Sequence, residues 1–456
     1  MTISPRTTAT RIGVLASLVG AVIGTSLITT APATAATTCA TAWSAGTAYT
    51  GGSTASENGT NYTANWWTQG DDPATHSGAT GSGAPWTSAG TCTGGTTGGG
   101  TGGGGTGTGG GGTGTGGGTG TGGGTGTGGG TGTGGGTGTG AATGTLFSPY
   151  KDITTSLNWN TNVIQTAITG TTIPVVGGSN SLVASKVPNL GAISLAFATG
   201  TCGSENWGGV AGDAFAKANV PSLDAAGLNY IVSTGGAAGS FKCGSGAALN
   251  SFIARYASPH LVGIDFDIET GQSASDIASL VNAAASAQST YPKLRFSFTL
   301  ATLAASDGSY GGLNSTGDTV VKAIKASSLS NYTINLMTMD FGGASPSACV
   351  VSNGACDMGA SSVQAAKNLQ HTYGTPYTKI EITPMVGVND VSSNVFTLAD
   401  ADTVSSFAAA NKLAGVHYWS LDRDTPCAQT TASPTCSSTS NAALAFTKRF
   451  LTDLGK

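Results

Sequence analysis

The chain has 456 residues, room for two or more domains, and only 9% of them are charged, well below the usual quarter. A formal net charge of −4 offers no basic surface, which argues against nucleic acid as a partner. The eight cysteines are even in number and form no C-x-x-C, and the four histidines are scattered, so disulfides are expected and neither a metal nor a cofactor is.

In chain order, Arg6 and Arg11 precede an apolar run from Ile12 to Ile28, and Ala33-Thr34-Ala35-Ala36 follows. A basic start, a short apolar middle and a small-residue cleavage site describe an export signal over residues 1–36, not a membrane anchor. No later stretch is apolar enough to span a bilayer, so a secreted, extracellular monomer with no membrane attachment is expected. Locality suggests the pairs Cys39–Cys92, Cys202–Cys243, Cys349–Cys356 and Cys427–Cys436.

Residues 37–92 hold Trp43, Tyr49, Tyr62, Trp66, Trp67 and Trp86. A unit this small cannot build a large core, so a disulfide is its expected staple and some of these rings must be structural. The others are too many to hide, and exposed rings in a row form a flat platform for sugar faces. The segment Asn61-Tyr62-Thr63-Ala64-Asn65-Trp66-Trp67-Thr68-Gln69-Gly70, followed by Pro73 and Trp86, resembles the chitin-binding modules of carbohydrate-binding families 5 and 12. Their hallmark is a paired Trp in an A-x-W-W-T-x-G setting after a Tyr. The resemblance implies a small antiparallel sheet that binds chitin, with Tyr62, Trp66, Trp67 and Trp86 as candidate contacts.

Residues 93–144 are almost entirely Gly and Thr, with no charge and no apolar periodicity. Such a segment cannot bury a core and is predicted to be a disordered linker with an r.m.s. reach of roughly 40 Å. Its expected task is to let both ends act on one insoluble surface.

Residues 145–456 suit one large α/β domain. Short β-rich runs recur at Phe147–Ile153, Ile193–Phe197, Leu228–Val232, Leu261–Asp267, Leu294–Leu300, Tyr332–Met337, Ile380–Met385 and Gly415–Trp419. Ala-rich helical stretches such as Ser275–Ala287 and Ser361–Gln370 lie between them. Eightfold strand–helix alternation predicts a (β/α)8 TIM barrel; the doubly wound rival lacks a phosphate or dinucleotide fingerprint.

The run Leu261-Val262-Gly263-Ile264-Asp265-Phe266-Asp267-Ile268-Glu269 carries acids at alternate positions of an apolar strand. Alternation puts Asp265, Asp267 and Glu269 on one face, roughly 6–7 Å apart. Like charges that lose hydration there raise at least one pKa, and a carboxyl kept protonated near neutrality can serve as a general acid. A calcium loop also alternates acids, but it uses polar spacers, whereas Phe266 and Ile268 suit a sheet.

This stretch resembles the D-G-x-D-x-D-x-E signature of glycoside hydrolase family 18, the chitinase family, with Val262 in place of the first Asp. The resemblance implies that Glu269 protonates the leaving sugar oxygen. Other strand ends supply candidate substrate contacts. Strand two leads to Trp207, strand three ends in Ser233-Thr234-Gly235-Gly236 (similar to the family's S-x-G-G), and strand eight ends at Trp419. Strand six ends Met337-Thr338-Met339-Asp340, where the family often shows M-x-Y-D; Met339 takes the tyrosine's place, and Tyr310 or Tyr418 are alternative hydroxyl sources. Strand seven leads to Asn389.

No second acid of obvious standing appears on an opposite strand end, which favours the exception in which the substrate's own acetamido oxygen is the nucleophile. Asp267 would then support the acetamido group, and Asp265 would share a proton with Asp267. The expected activity is hydrolysis of chitin and chito-oligosaccharides. Cleavage of other N-acetylglucosamine glycans and a non-catalytic chitin lectin are the alternatives; the intact Glu269 argues against the lectin.

Overall fold

The structure, a computed structural model, describes residues 37–45, 47, 49, 53–64, 68, 70–78, 84–93, 144–269 and 271–456. The predicted export signal and, apart from Thr93 and Gly144, the predicted linker lie outside the described residues, as do Trp66 and Trp67.

The small N-terminal part is an antiparallel sheet of β1 (Thr54–Glu57), β2 (Thr60–Ala64) and β3 (Trp86–Thr91), in that order. Asn58 and Gly59 turn β1 into β2 with φ of 49° and 74°, the left-handed pair that a two-residue hairpin needs and that Asn-Gly adopts at low cost. Tyr49, Ala55, Tyr62, Ala64 and Trp86 form its core, with Trp43 packed against them. The Cys39–Cys92 disulfide closes the unit, as a core of so few side chains requires.

The larger part is a barrel. Its strands are β4 (Leu146–Phe147), β5 (Tyr150–Asp152), β6 (Ala192–Ala198), β7 (Asn229–Gly235), β8 (Leu261–Asp267), β9 (Arg295–Ala301), β10 (Tyr332–Thr338), β11 (Ile380–Pro384) and β12 (Gly415–Val416). The sheet order is β4-β12-β11-β10-β9-β8-β7-β6-β5, all parallel. β4 and β5 are halves of one strand interrupted at Pro149, which has no N–H to give the ladder. Ser148 N–H and Tyr150 N–H still donate to the carbonyls of Val416 and Tyr418, and Pro149 accepts from Ser194 N–H, so this strand joins both edges and the ring closes at eight.

Eight helices alternate with these strands: α1 (Leu182–Ser185), α2 (Gly212–Ala225), α3 (Gly246–Arg255), α4 (Ala274–Thr290), α5 (Ser315–Ala326), α6 (Met358–Tyr373), α7 (Leu398–Asn411) and α8 (Ala445–Asp453). α4 shows why they form where they do. Ser273 and Asp276 make a capping box, and Ile277, Leu280, Val281, Ala284 and Ala287 bury one helical stripe against the sheet. α7 starts on a second capping box, Thr397 with Asp400. The remaining disulfides are Cys202–Cys243, Cys349–Cys356 and Cys427–Cys436, the pairs that locality suggests. No described helix is long and apolar enough to cross a membrane.

Candidate active site

Alternation along β8 sorts its side chains. Phe266 packs outward beside Phe241, Phe296 and Phe298, and Ile264 is buried in the same apolar core. Asp265 and Asp267 therefore face the barrel interior, with Glu269 two residues on at the mouth. Parallel register then chooses the partners. Ser233 of β7 and Ser297 of β9 lie directly beside Asp265, and Gly235 and Thr299 lie beside Asp267.

Asp265 is buried and accepts four hydroxyl hydrogen bonds. Ser233 Oγ (2.6 Å) and Tyr150 Oη (2.9 Å) donate to Oδ2, and Ser297 Oγ and Thr299 Oγ1 (2.7 Å each) donate to Oδ1. Asn335 braces the donors, its Nδ2 reaching Tyr150 Oη at 3.0 Å and Thr299 Oγ1 at 2.9 Å. These hydroxyls occupy the oxygens that a proton shared with Asp267 would need, so the structure departs from that expectation.

Asp267 is buried too, and its Oδ1 has no hydrogen-bond partner. Burial, then the charges of Glu269 and Asp265, push its carboxyl well above the usual range. Glu269, half-buried, is pushed up to about 7, by burial first and then by Asp340 and Asp390. Asp340 is pushed up to about 6 by burial, against a hydrogen bond from Val391 N–H at 2.8 Å. Asp340, two residues past β10, and Asp390, six residues past β11, thus act electrostatically on Glu269, which corrects the expectation that no second acid stands opposite.

These shifts imply a measurable stability profile. A carboxyl whose folded pKa is raised binds its proton more tightly when folded, so its contribution is complete below the unfolded value near 4 and is lost as pH rises through the folded value. Glu269 at about 7 and Asp340 and Asp424 at about 6 place that loss between roughly pH 4 and pH 7. Calorimetric melting temperatures are expected to fall across this range, and Glu269→Gln should flatten the slope. An unchanged slope in the variant would show that Glu269 is not a shifted group.

Gly235 has φ 89°, and a Cβ on it would lie 2.1 Å from the Asp267 carbonyl oxygen, so only glycine lets β7 end against the acid strand. Gly236 N–H donates to that same carbonyl at 3.1 Å. Trp419 is half-buried at the mouth and stacks on Phe197, with ring centroids 5.5 Å apart and planes 17° apart. Met337 is half-buried on β10, two residues beyond the inward-facing Asn335, and Met339 is half-buried just past the strand end.

Several other candidates sit elsewhere. Trp207 is fully buried, stacks on Phe215 at 4.1 Å and donates from Nε1 to Tyr256 Oη at 2.8 Å, so it is core and not a sugar contact. Asn389 is fully buried with its amide spent on Met385 O, Gly387 O and Asp340 N–H, so it braces a loop. Ser233 is buried and serves Asp265 rather than a ligand. Tyr418 is buried with its hydroxyl on Thr447 of α8, and Tyr310 stacks on His371 of α6, so neither replaces the missing tyrosine. In the small sheet, Trp86 is fully buried with Nε1 donating to Asp71 O at 2.8 Å, and Tyr62 belongs to the same core.

Tyr150 and Asn335 were missed by reasoning from the sequence. Tyr150 follows a proline in a broken strand, and Asn335 is one polar residue in an apolar run. Closure of the ring brings Tyr150 to Asp265, and the register of β9 with β10 sets Asn335 beside Thr299.

The fold and the site define a class: a (β/α)8 barrel with a row of buried carboxyls at its mouth, preceded by a small β-sheet unit. Residues 42–87 match the model of carbohydrate-binding module family 5/12, and the chain carries that module. The chain is 36% identical over 126 residues to the "Probable bifunctional chitinase/lysozyme" of Escherichia coli (strain K12) and 35% identical over 130 residues to "Endochitinase 11" of Metarhizium anisopliae. Those matches cover 25% and 26% of this chain but only 14% and 24% of the relatives. Among solved structures, the catalytic domain of the hyperthermophilic chitinase from Pyrococcus furiosus superposes with a TM-score of 0.51 at 24% identity, over 70% of this chain and 97% of that domain. That likeness is one of fold, and it is the barrel of a chitinase that this fold resembles.

Proposed function

We propose that this chain is an exported chitinase that cleaves β-1,4 linkages between N-acetylglucosamine residues by a retaining, substrate-assisted mechanism. The observation that carries the reading is the graded environment along one strand face. Asp265 is held by four hydroxyls, Asp267 is buried with a free oxygen, and Glu269 at the mouth is pushed up to about 7. A substantial fraction of Glu269 therefore still carries its proton near neutral pH, as a general acid needs. After donating, it accepts a proton from the incoming water.

The unpartnered Asp267 Oδ1 suits the N–H of an acetamido group, because a buried polar atom without a partner costs about 1–3 kcal/mol that such a ligand recovers. Held that way, the acetamido oxygen reaches the anomeric carbon and an oxazolinium-like intermediate forms, its charge supported by Asp267. Asp265 keeps Asp267 in a negative field. The half-buried Trp419, backed by Phe197, supports the sugar from below. Four disulfides among the described residues suit an oxidising, extracellular destination. The acids contributed by β10 and the β11 end favour a second reading, in which a separate carboxyl acts as base or nucleophile.

The domain division is tested by removing residues 37–144. Hydrolysis of soluble chito-oligosaccharides is expected to stay nearly unchanged, while binding to and turnover of insoluble chitin fall. Equal loss on both substrates would mean that the module belongs to the active site. No hydrolysis of colloidal chitin by the whole chain, with binding retained, would favour the lectin instead.

A further inference from the structure

The last barrel strand is followed by three consecutive charges, Asp422, Arg423 and Asp424, and all three are buried. Each holds a different part of the barrel mouth. Asp422 pairs with Lys151 of β5 at 2.8 Å and accepts from Thr166 Oγ1 at 2.8 Å. Asp424 accepts from the backbone N–H groups of Phe446 (3.0 Å) and Thr447 (2.7 Å), fixing the first turn of α8. Arg423 serves the segment that leads to the acids. Its Nη2 donates to the carbonyls of Val386 (3.0 Å) and Val388 (2.6 Å), and its Nη1 donates to Ser433 O inside the Cys427–Cys436 loop.

That segment continues into Asn389, Asp390 and Val391. Asn389 Oδ1 receives Asp340 N–H at 3.3 Å, and Val391 N–H donates to Asp340 Oδ1 at 2.8 Å. Asp340 holds a left-handed φ of 51°, a conformation an ordinary side chain keeps only when its surroundings enforce it. Arg423 Nε, meanwhile, is buried and has no hydrogen-bond partner.

We propose that Arg423 is a positioning residue for hydrolysis: its guanidinium fork fixes residues 386–391 so that Asp340 and Asp390 are presented to Glu269, and its charge offsets theirs. The inference rests on the glycosidase reading above. Only the planar, multi-donor fork of arginine can hold three carbonyls from two loops and remain charged when buried. Glu269 is faced by Asp267 on its own strand, by Asp340 after β10 and by Asp390 after β11, with Asp265 deeper in the barrel. Burial lowers Arg423 to about 10, with Asp390 and Asp340 resisting, so it is cationic at neutral pH. Arg423 in turn lowers Asp340.

The sign of its removal follows. Without the guanidinium, Asp340 gains its proton at higher pH and the untied segment lets the Asp390 charge drift. Both changes weaken the repulsion that raises Glu269, so Glu269 loses its proton at lower pH.

The test uses the full chain and a soluble chito-oligosaccharide, with kcat and KM measured across pH and unfolding temperature as a control. Arg423→Met is expected to move the alkaline limb of kcat to lower pH; above that limb a shift of about one unit cuts the protonated fraction of the acid roughly tenfold. Arg423→Lys keeps the charge but not the fork, so it should restore the limb toward the wild-type position while kcat stays low. Asp390→Asn removes an exposed charge without touching the core; it should shift the limb the same way with little change in unfolding temperature. If Arg423→Met does not fold, the other two variants decide. An active wild type whose limb is unmoved in Asp390→Asn, or an Arg423→Lys variant with wild-type kcat, would overturn the inference alone. A wild type that cleaves no N-acetylated oligosaccharide would overturn the glycosidase reading and this inference with it.

Discussion

Glu269→Gln is expected to lose nearly all hydrolysis while still binding chito-oligosaccharides. The amide keeps the shape of the side chain, so the cleft and its contacts survive. What is lost is the transferable proton on a group held at about 7 by burial and by Asp340 and Asp390. General acid catalysis of this kind is worth about 10²–10⁴-fold, and in the proposed mechanism Glu269 serves both steps, so a loss at or beyond the upper end is expected. Single-turnover hydrolysis and calorimetric binding separate the two effects. A variant that keeps a tenth or more of wild-type activity would remove Glu269 from the role of acid. In the wild type, the alkaline limb of kcat/KM should fall near pH 7, because the first step of the proposed mechanism needs Glu269 protonated.

A fully deacetylated glucosamine polymer should resist cleavage under conditions in which the N-acetylated polymer is cut. The nucleophile in the proposed mechanism is the acetamido oxygen of the sugar at the cleavage point, and without it the chain has no internal attack to offer. Fresh product should carry the β anomer, since internal attack and later attack by water each invert once. Asp267→Asn should lose most activity, because a neutral amide cannot support the charge of the intermediate. The carboxyls of Asp340 and Asp390 make this a sharp test, since they are the groups that a direct-displacement mechanism would recruit. NMR of the first product formed reads the anomer directly. Immediate α anomer, or brisk cutting of the deacetylated polymer, would transfer the role of base or nucleophile to one of those two acids.

Much of the architecture was legible in the residues because it depends on short-range periodicity. All eight predicted strand runs overlap observed strands, and Leu261–Asp267 matches its strand at both ends. Apolar residues at alternate positions mark the face toward the helices, and the three acids could be assigned to one side by counting alone. The helix over Ser275–Ala287 is present as the longer α4, whose ends are set by a capping box and a final turn that apolar periodicity does not mark. The paired Trp motif and its disulfide likewise announced the module, which the family model places at residues 42–87.

Burial of single aromatics and polar side chains was not legible, because it depends on elements distant in sequence. Trp207 lies in the loop after β6 and Trp419 just past β12, yet one stacks on Phe215 in the core and the other lies half-open at the mouth. Ser233 and Asn389 looked like contacts for a ligand, but a neighbouring acid and a loop consume their hydrogen bonds. The alternating acids, the strand–helix rhythm and the local disulfide pairs could be read from spacing alone, the disulfides closing over 53 residues at most. Convergence of Tyr150, Ser233, Ser297 and Thr299 on Asp265, the addition of Asp340 and Asp390 to the effect of burial on Glu269, and the hold of Arg423 on Val386 and Val388 arise only in the closed barrel. Those partners and fields depend on which strands lie side by side and in what register: Ser233, Ser297 and Thr299 reach Asp265 from 32 to 34 residues away and Tyr150 from 115 through ring closure, and no spacing within one segment encodes that.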